Sequence, residues 1–233
     1  MGVQMPRQMA YDRAIVVFSP EGKLYQVEYA AKAVSRSSIT LGVTYKNGVV
    51  LAAAKPTSKL LVSNPQEKIS LVDDHIIIGT CGILSDSRVM VDFARVKTQV
   101  NRITYDEPIQ IRALVKEIAD RKQRFTQMAG LRPYGISMLV AGATDSEPHL
   151  FETNPSGALR EWKASAMGKG SDKAEKVLKD GYKSNLTKEK AIALAVEALK
   201  AAETKLTKDG VEMGLIEDNK GKIFSTDEIK KYL

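Results

Sequence analysis

YDRAIVVFSPEGKLYQVEYAAKAV, Tyr11 to Val34, carries the most specific pattern in the chain. Ser19 is a good N-cap residue, and Pro20 at the first helical position gives up only an N–H that would be unpaired there in any case. Glu21 then meets the positive end of the helix dipole. Leu24, Val27, Ala31 and Val34 recur at three- and four-residue spacing. The segment reads as one helix with an apolar stripe to be buried, against the body of its own domain or against a neighbouring subunit.

Outward from this segment, 233 residues suffice for one large domain with a sizeable core, and no linker divides them. A tail over residues 1–12 and a single domain over 13–233 are expected. The 35 Lys+Arg against 28 Asp+Glu leave a surplus of +7, but the cations are spread over helical faces without interleaved aromatics. Such lysine solvates a surface, so no nucleic-acid partner is expected. Cys81 is the one cysteine, which excludes an intrachain disulfide. The first residues lack the apolar core of a signal peptide and no later run spans a bilayer, so the expectation is a cytoplasmic protein with no membrane contact.

Strand-like runs at Ile39–Tyr45 and Val49–Ala54 flank Lys46-Asn47-Gly48, a hairpin signal, and a second pair at Lys68–Val72 and Ile76–Cys81 turns at Asp73-Asp74. Helical spacing covers Ile83 to Asn101, with Val89, Phe93 and Val96 on one stripe. It resumes from Ile109 to Met128, started by Pro108, with Leu114, Ile118 and Phe125 on another. Strands are expected at Gly135–Thr144, His149–Thr153 and Ala158–Ala164, with Asn154-Pro155-Ser156-Gly157 as a turn. Helices follow at Lys173–Tyr182 and Lys188–Lys205, the latter capped by Thr187. A hairpin, Val211–Glu217 and Lys222–Phe224 around Asn219-Lys220-Gly221, and a helix at Thr226–Tyr232 complete the order. Hairpin-joined strands with helices arriving in pairs give α+β, a four-layer α-β-β-α sandwich.

Tyr11-Asp12-Arg13, Phe18-Ser19-Pro20-Glu21-Gly22-Lys23-Leu24 and Gln26-Val27-Glu28-Tyr29-Ala30 resemble the N-terminal signature of proteasome α subunits of archaeal type, and Arg132-Pro133-Tyr134-Gly135 agrees. The resemblance implies the Ntn-hydrolase version of the sandwich and membership of the core particle, a threonine protease complex for protein degradation. It implies a heptameric ring of α subunits stacked on β subunits. Tyr11, Asp12, Arg13, Pro20 and Tyr29 would form the gate, and Lys68 with Gly82, Ile83 and Leu84 the pocket for the C-terminal tails of regulatory ATPases. Met128-Ala129-Gly130-Leu131 would be the loop narrowing the pore through which unfolded substrates pass. Two departures stand out: Ser37 where many relatives have glycine, and Ala31-Lys32 in place of an Arg-Glu pair. The chain's stop soon after its last helix, with no acidic tail, fits the archaeal type.

Catalytic relatives use an N-terminal threonine whose α-amine serves as base. Aligned on Gly42, Ser38 takes the nucleophile's place, Ala54 that of the acidic partner and Lys68 that of the active-site lysine. A helix precedes Ser38, so a non-catalytic subunit is expected. The alternatives are a β-type threonine protease processed before Ser38 or Thr40, and an assembly-only homologue without gating. His75 and His149 lie in different hairpins and read as surface histidines, so no metal is expected, and no cofactor. Met167-Gly168-Lys169-Gly170-Ser171 lacks phosphate-loop spacing and reads as a glycine turn into a helix.

Overall fold

The computed structural model describes residues 16–58, 60, 68–144, 147–204 and 206–233, with backbone only at 144 and 208. In chain order its elements are α1 (Tyr25–Arg36), β1 (Thr40–Tyr45), β2 (Gly48–Ala54), β3 (Ile69–Asp73), β4 (Ile76–Gly82), α2 (Leu84–Tyr105) and α3 (Ile111–Phe125). Then come β5 (Ile136–Thr144), β6 (Glu147–Thr153), β7 (Leu159–Glu161), β8 (Ala164–Met167), α4 (Ser171–Gly181) and α5 (Lys188–Ala202). A 3₁₀ turn (Lys208–Gly210), β9 (Val211–Glu217), β10 (Lys220–Ile223) and α6 (Thr226–Ile229) end the chain. Two five-stranded sheets, β10-β9-β2-β1-β8 and β3-β4-β5-β6-β7, pair antiparallel throughout.

Strand parity sorts the core into three layers. On β2, Val50, Ala52 and Ala54 face a cluster with Leu178, Ile192, Ala195 and Leu199 of α4 and α5. On the same strand Val49, Leu51 and Ala53 join Ile77, Cys81, Leu139 and Leu150 between the sheets. Ile76, Ile78, Met138 and Val140 meet Met90, Leu114 and Ile118 of α2 and α3. With both faces covered, the strands are apolar in succession rather than alternating, which is why β1 and β2 are buried at every position. The result is the expected α+β sandwich of four layers.

Several boundaries differ from the sequence reading. Ser19-Pro20-Glu21-Gly22 is not the first helical turn. Gly22 N donates to Ser19 O (2.8 Å) and Ser19 N to Lys23 O (2.9 Å), closing a tight turn in which Gly22 holds φ +74°. The helix then starts at Tyr25 from Leu24, which makes no side-chain cap. Of the expected stripe only Val34 is buried, Leu24 and Val27 are half-buried, and Ala31 is exposed. On α2 the buried face is Ser87, Met90, Val91, Ala94 and Thr98, whereas Val89, Val96, Val100 and Ile103 form an exposed row, Ile103 at 85%. Helical period alone cannot say which of two apolar faces meets the sheet.

Other differences are smaller. Pro108 precedes α3, whose N-cap is Gln110. The β3–β4 turn falls at Asp74-His75. The run expected at Ala158–Ala164 splits into β7 and β8, which belong to different sheets, and the chain crosses between them at Trp162-Lys163. The last hairpin turns at Asp218-Asn219, both with positive φ, and Lys220 is already paired with Glu217. Thr187 caps α5 as expected, and Ser225 with Glu228 forms a capping box on α6.

One fully buried charge joins three elements beneath the second helical layer. Lys122 of α3 donates through Nζ to Thr153 Oγ1 (2.7 Å), Thr153 O (3.1 Å) and Ile136 O (3.2 Å). Burial pushes its ammonium down to about 7, against a smaller upward pull from Glu152. A lysine whose folded pKa lies below its unfolded value binds fewer protons in the native state between the two, so stability rises with pH across that window. Urea midpoints for the wild-type chain are therefore expected to climb from pH 7 to pH 9, with a shallower climb in Lys122→Met; parallel slopes would exclude Lys122 as the source.

Candidate functional site

The start of β1, the end of β2, the start of β3 and the end of β4 converge at one end of the sandwich, closed by the C-terminus of α1. A cavity of about 180 Å³ opens there, its lining including Ser37, Lys55, Lys68, Thr80, Gly82 and Leu84. The positions expected from sequence as a pocket, Lys68, Gly82 and Leu84, are thus brought together. Ile83 lies between the last two and is exposed.

Lys68 is buried, and its Nζ points inward. It donates to Ser38 O, Ser38 Oγ (3.0 Å), Ile39 O (3.1 Å) and Ala54 O (3.2 Å). These acceptors exceed an ammonium's three donors, so an incoming anion must displace one of them. Burial pushes Lys68 down to about 8, only partly opposed by Cys81 and Glu212. The convergence of Lys68 with Ser38 and Ala54 agrees with the sequence superposition. Ala54, however, contributes only its carbonyl, and the Ser38 nitrogen is held in a peptide bond to Ser37, the C-cap of α1.

A second lysine, missed in the sequence, stands beside the first. Lys55 Nζ pairs with Glu212 Oε1 at 2.9 Å, both side chains being mostly buried. Glu212 Oε2 accepts from the N–H groups of Lys68 (2.7 Å) and Ile69 (3.1 Å). One carboxylate therefore fixes the backbone beneath Lys68 and neutralises Lys55. The only sequence signal was a polar residue directly after an all-apolar strand.

The wall of the cavity is set by backbone. Gly82 holds φ +131°, and a Cβ there would lie 2.1 Å from Gly135 O. Ile83 N donates to Gly135 O (2.9 Å), and Asp86 Oδ2 accepts from Gly135 N (2.9 Å). Arg132 grips both oxygens of Asp86 at 2.6 Å. Burial raises the Asp86 carboxyl, but Arg132 and the Gly135 N–H overcome it and hold it below the ordinary range. The Arg-Pro-Tyr-Gly segment is thereby fastened to the cavity wall, and Met128-Ala129-Gly130-Leu131 projects just before it as a turn with Met128 and Leu131 exposed.

Ser37 needs no glycine, for its φ of −75° is ordinary, and its Oγ donates to Gly82 O (3.4 Å). Lys32 of the unusual Ala31-Lys32 pair lies over the Tyr29 ring at 5.4 Å, while Glu28 pairs with Lys23 at 4.0 Å. Of the expected gate residues, Pro20 is exposed in the Ser19–Lys23 turn and Tyr29 stacks near Tyr25, with ring centroids 6.4 Å apart. Tyr11, Asp12 and Arg13 lie outside the described residues. His75 is buried rather than superficial, with Nε2 2.9 Å from Ile109 O, and His149 pairs with Glu161 at 2.6 Å. Among the described residues no three His, Cys, Asp or Glu side chains are placed to hold a metal. No helix among them is long and apolar enough to cross a membrane.

Two stacked antiparallel sheets between helix pairs, with a lysine gathered against the start of β1, define an Ntn-type sandwich. The family profile described as "Proteasome subunit" matches residues 34–216, and the profile for the N-terminal signature of A-type proteasome subunits matches residues 11–33. The chain is 46% identical to a Methanosarcina acetivorans protein named as a proteasome alpha subunit, covering 98% of this chain and 94% of that one. It is 46% identical to a Thermococcus protein of the same name, over 98% and 89% of the two chains. An Archaeoglobus fulgidus protein of that name is 44% identical over 97% and 93%. The chain belongs to the proteasome subunit family and carries the family's α-type signature.

Glu212→Ala leaves Lys55 and two backbone N–H groups without their acceptor. A loss of about 3–5 kcal/mol is expected in urea unfolding, as for a broken buried ion pair. A loss below about 1 kcal/mol would mean that Glu212 is not what holds the cavity floor.

Proposed function

We propose that this chain is a non-catalytic outer-ring subunit of the proteasome core particle, which gates substrate entry and receives the C-terminal tails of regulatory ATPases. The observation that carries the reading is the cavity at the end of the sandwich. Lys68 is gathered there with Gly82 and Leu84, and Lys55 stands beside it. A terminal carboxylate would be attracted by the Lys68 ammonium and could take a donor from it, Lys55 being already paired with Glu212, while Leu84 and Ile83 meet the apolar side chains before it. The absence of a free amine beside Ser38 and the lack of a side-chain carboxylate at Ala54 argue against peptide hydrolysis by this chain. The intact mass of the mature chain separates this reading from a protease processed at Ser38 or Thr40.

The exposed apolar residues support an assembled state. Val89, Val96, Val100 and Ile103 on α2, and Val16, Val17 and Phe18 before α1, are surfaces that a ring and a stacked partner ring would cover. Tyr11, Asp12 and Arg13 precede the Ser19–Lys23 turn in the sequence. In the gate reading Tyr11 and Asp12 hydrogen-bond between neighbouring tails, together with Pro20 and Tyr29, when the pore is open. Met128-Ala129-Gly130-Leu131 lines the pore below, where small and apolar side chains let an unfolded chain slide.

Lys68→Ala in the assembled particle is expected to keep basal peptidase activity while weakening activation by ATPase tail peptides about ten- to a hundredfold, the weight of one charge-assisted hydrogen bond. Unaltered activation with an intact ring would remove Lys68 from this role. Deleting Met1 to Asp12 is expected to raise basal degradation of an unfolded protein and to leave little for the tail peptides to add. Equal basal rates in truncated and full-length particles would refute gating by the tail, and failure of the full-length particle to respond to activators would point to an assembly-only homologue.

A further inference from the structure

The Met128–Leu131 turn hangs between two stems that are pinned to each other. One stem is the last turn of α3, the other the segment that runs into β5. Arg121 Nε donates to Tyr134 Oη (3.1 Å), and the Phe125 and Tyr134 rings lie 4.6 Å apart. Lys122 Nζ reaches Ile136 O (3.2 Å), fourteen residues along the chain, and Thr153 O (3.1 Å) on the neighbouring strand β6. Lifting the last turn of α3 from the sheet therefore breaks the Lys122 contacts.

The three oxygens around Nζ suit an amine better than an ammonium. Ile136 O and Thr153 O can only accept, and a neutral amine has two N–H groups to give them. Its lone pair then faces Thr153 Oγ1 at 2.7 Å, and a hydroxyl can turn its own proton there. An ammonium would donate to all three, but fully buried and with no carboxylate among its partners, which is the costly arrangement for a charge. The neighbouring charges are engaged elsewhere. Glu152 of β6 accepts from Ser165 Oγ (3.2 Å), and its pull on Lys122 is smaller than the effect of burial, which takes the amine down to about 7. On α3, Asp120 pairs with Lys116, Glu117 with Lys97 of α2, and Arg124 is exposed. Before β5, Arg132 holds Asp86; on β7, Glu161 pairs with His149 and Arg160 stands across from Glu152. β5 itself carries no titratable side chain.

We propose that the stem is a proton-linked clasp: closed, it holds Lys122 as the neutral amine, and each lifting of the last turn of α3 delivers that amine to water, where it takes up a proton. Between the two titration ranges of the lysine the open stem binds one proton more than the closed one. Opening is therefore favoured as pH falls, and the effect levels off once the closed stem is itself protonated. The Met128–Leu131 turn is thus freer at pH 7 than at pH 9. The opening is local, and it leaves the layer of α4 and α5 in place.

Hydrogen–deuterium exchange of the full-length chain tests this between about pH 7.5 and 9, the window in which the closed and open stems differ in protonation. Exchange of the amides of residues 123–127 is divided by that of an unstructured peptide of the same sequence, under conditions where the mass envelope stays single, so that the quotient reports the opening equilibrium. In the wild type the quotient is expected to fall about tenfold per pH unit, and in Lys122→Met to stay level. The amides of α5 are expected to exchange more slowly than those of the stem at every pH. The proposal is overturned if the wild-type quotient does not change with pH, or if Lys122→Met keeps the wild-type slope. It is also overturned if stem and α5 amides exchange with one common quotient, since Lys122 would then report only global unfolding. Should Lys122→Met fail to fold, Thr153→Val decides: without the hydroxyl that meets the lone pair, the stem opens about three- to tenfold more often at pH 9, and an unchanged opening overturns the proposal.

Discussion

Asp86 is the joint on which the arrangement of the site depends. A carboxylate in the first turn of α2 is favoured by the helix dipole, yet it is buried, and an unpaired buried charge would cost several kcal/mol, on the order of the value for a broken ion pair. It is tolerated because Arg132 and the Gly135 N–H occupy its oxygens from one side. The same bonds join the end of β4, the start of α2 and the segment leading into β5. A wall that contains Gly82 and a turn that contains Gly130 are therefore parts of one rigid assembly, although they stand 48 residues apart in the chain.

The sheets meet that joint with no room to spare. A Cβ on Gly42 would come within 2.7 Å of Leu51 and 2.9 Å of Leu150, and Thr40 Oγ1 bridges the sheets by donating to Thr80 O (2.8 Å). Close packing of this kind transmits a displacement rather than absorbing it. Ser37 ties α1 to Gly82, and Lys169 N donates to Ser37 O (2.8 Å), so the end of α1 is held from the cavity wall and from the turn before α4. A ligand that moved the wall would act on the helix behind the N-terminal segment through the Ser37–Gly82 bond.

The layered fold was legible because its signals are local. Strands buried on both faces are continuous apolar runs, Thr187 is a cap, and Asn154-Pro155-Ser156-Gly157 is a turn whose Asn154 Oδ1 accepts from the Ser156 and Ala158 N–H groups. What failed was settled by tertiary contact. Ser19-Pro20 has the chemistry of a helix start, but the Ser19–Lys23 bonds spend it on a turn. Val89 and Val96 have the period of a core stripe, but α2 rests on Met90, Val91 and Ala94. Gly48 reads as a turn glycine, whereas a Cβ there would lie 1.9 Å from Ile216 O, a demand made by a strand 168 residues away. Lys68 was found through resemblance, whereas Lys55 and Glu212 emerge only when β2, β3 and β9 are laid side by side.

Under the proposed function, Lys68 is a position that loses one chemistry and keeps another. An amine lowered to about 8 beside a serine hydroxyl is a step toward general-base catalysis, which needs a base poised near the working pH. Ser38 cannot use it as its N-terminal relatives would, because its nitrogen is an amide and Ala54 has no carboxylate to orient the pair. The ammonium instead spends its donors on the carbonyls of Ser38, Ile39 and Ala54, which clamp the start of β1 to the end of β2. Those neutral acceptors are weaker partners than a carboxylate would be, so the lysine remains the group in the cavity most readily drawn to an arriving anion. On the proposed reading, the charge that would serve bond cleavage in a catalytic relative is turned to recognition, and the fold need change nothing but the groups around it.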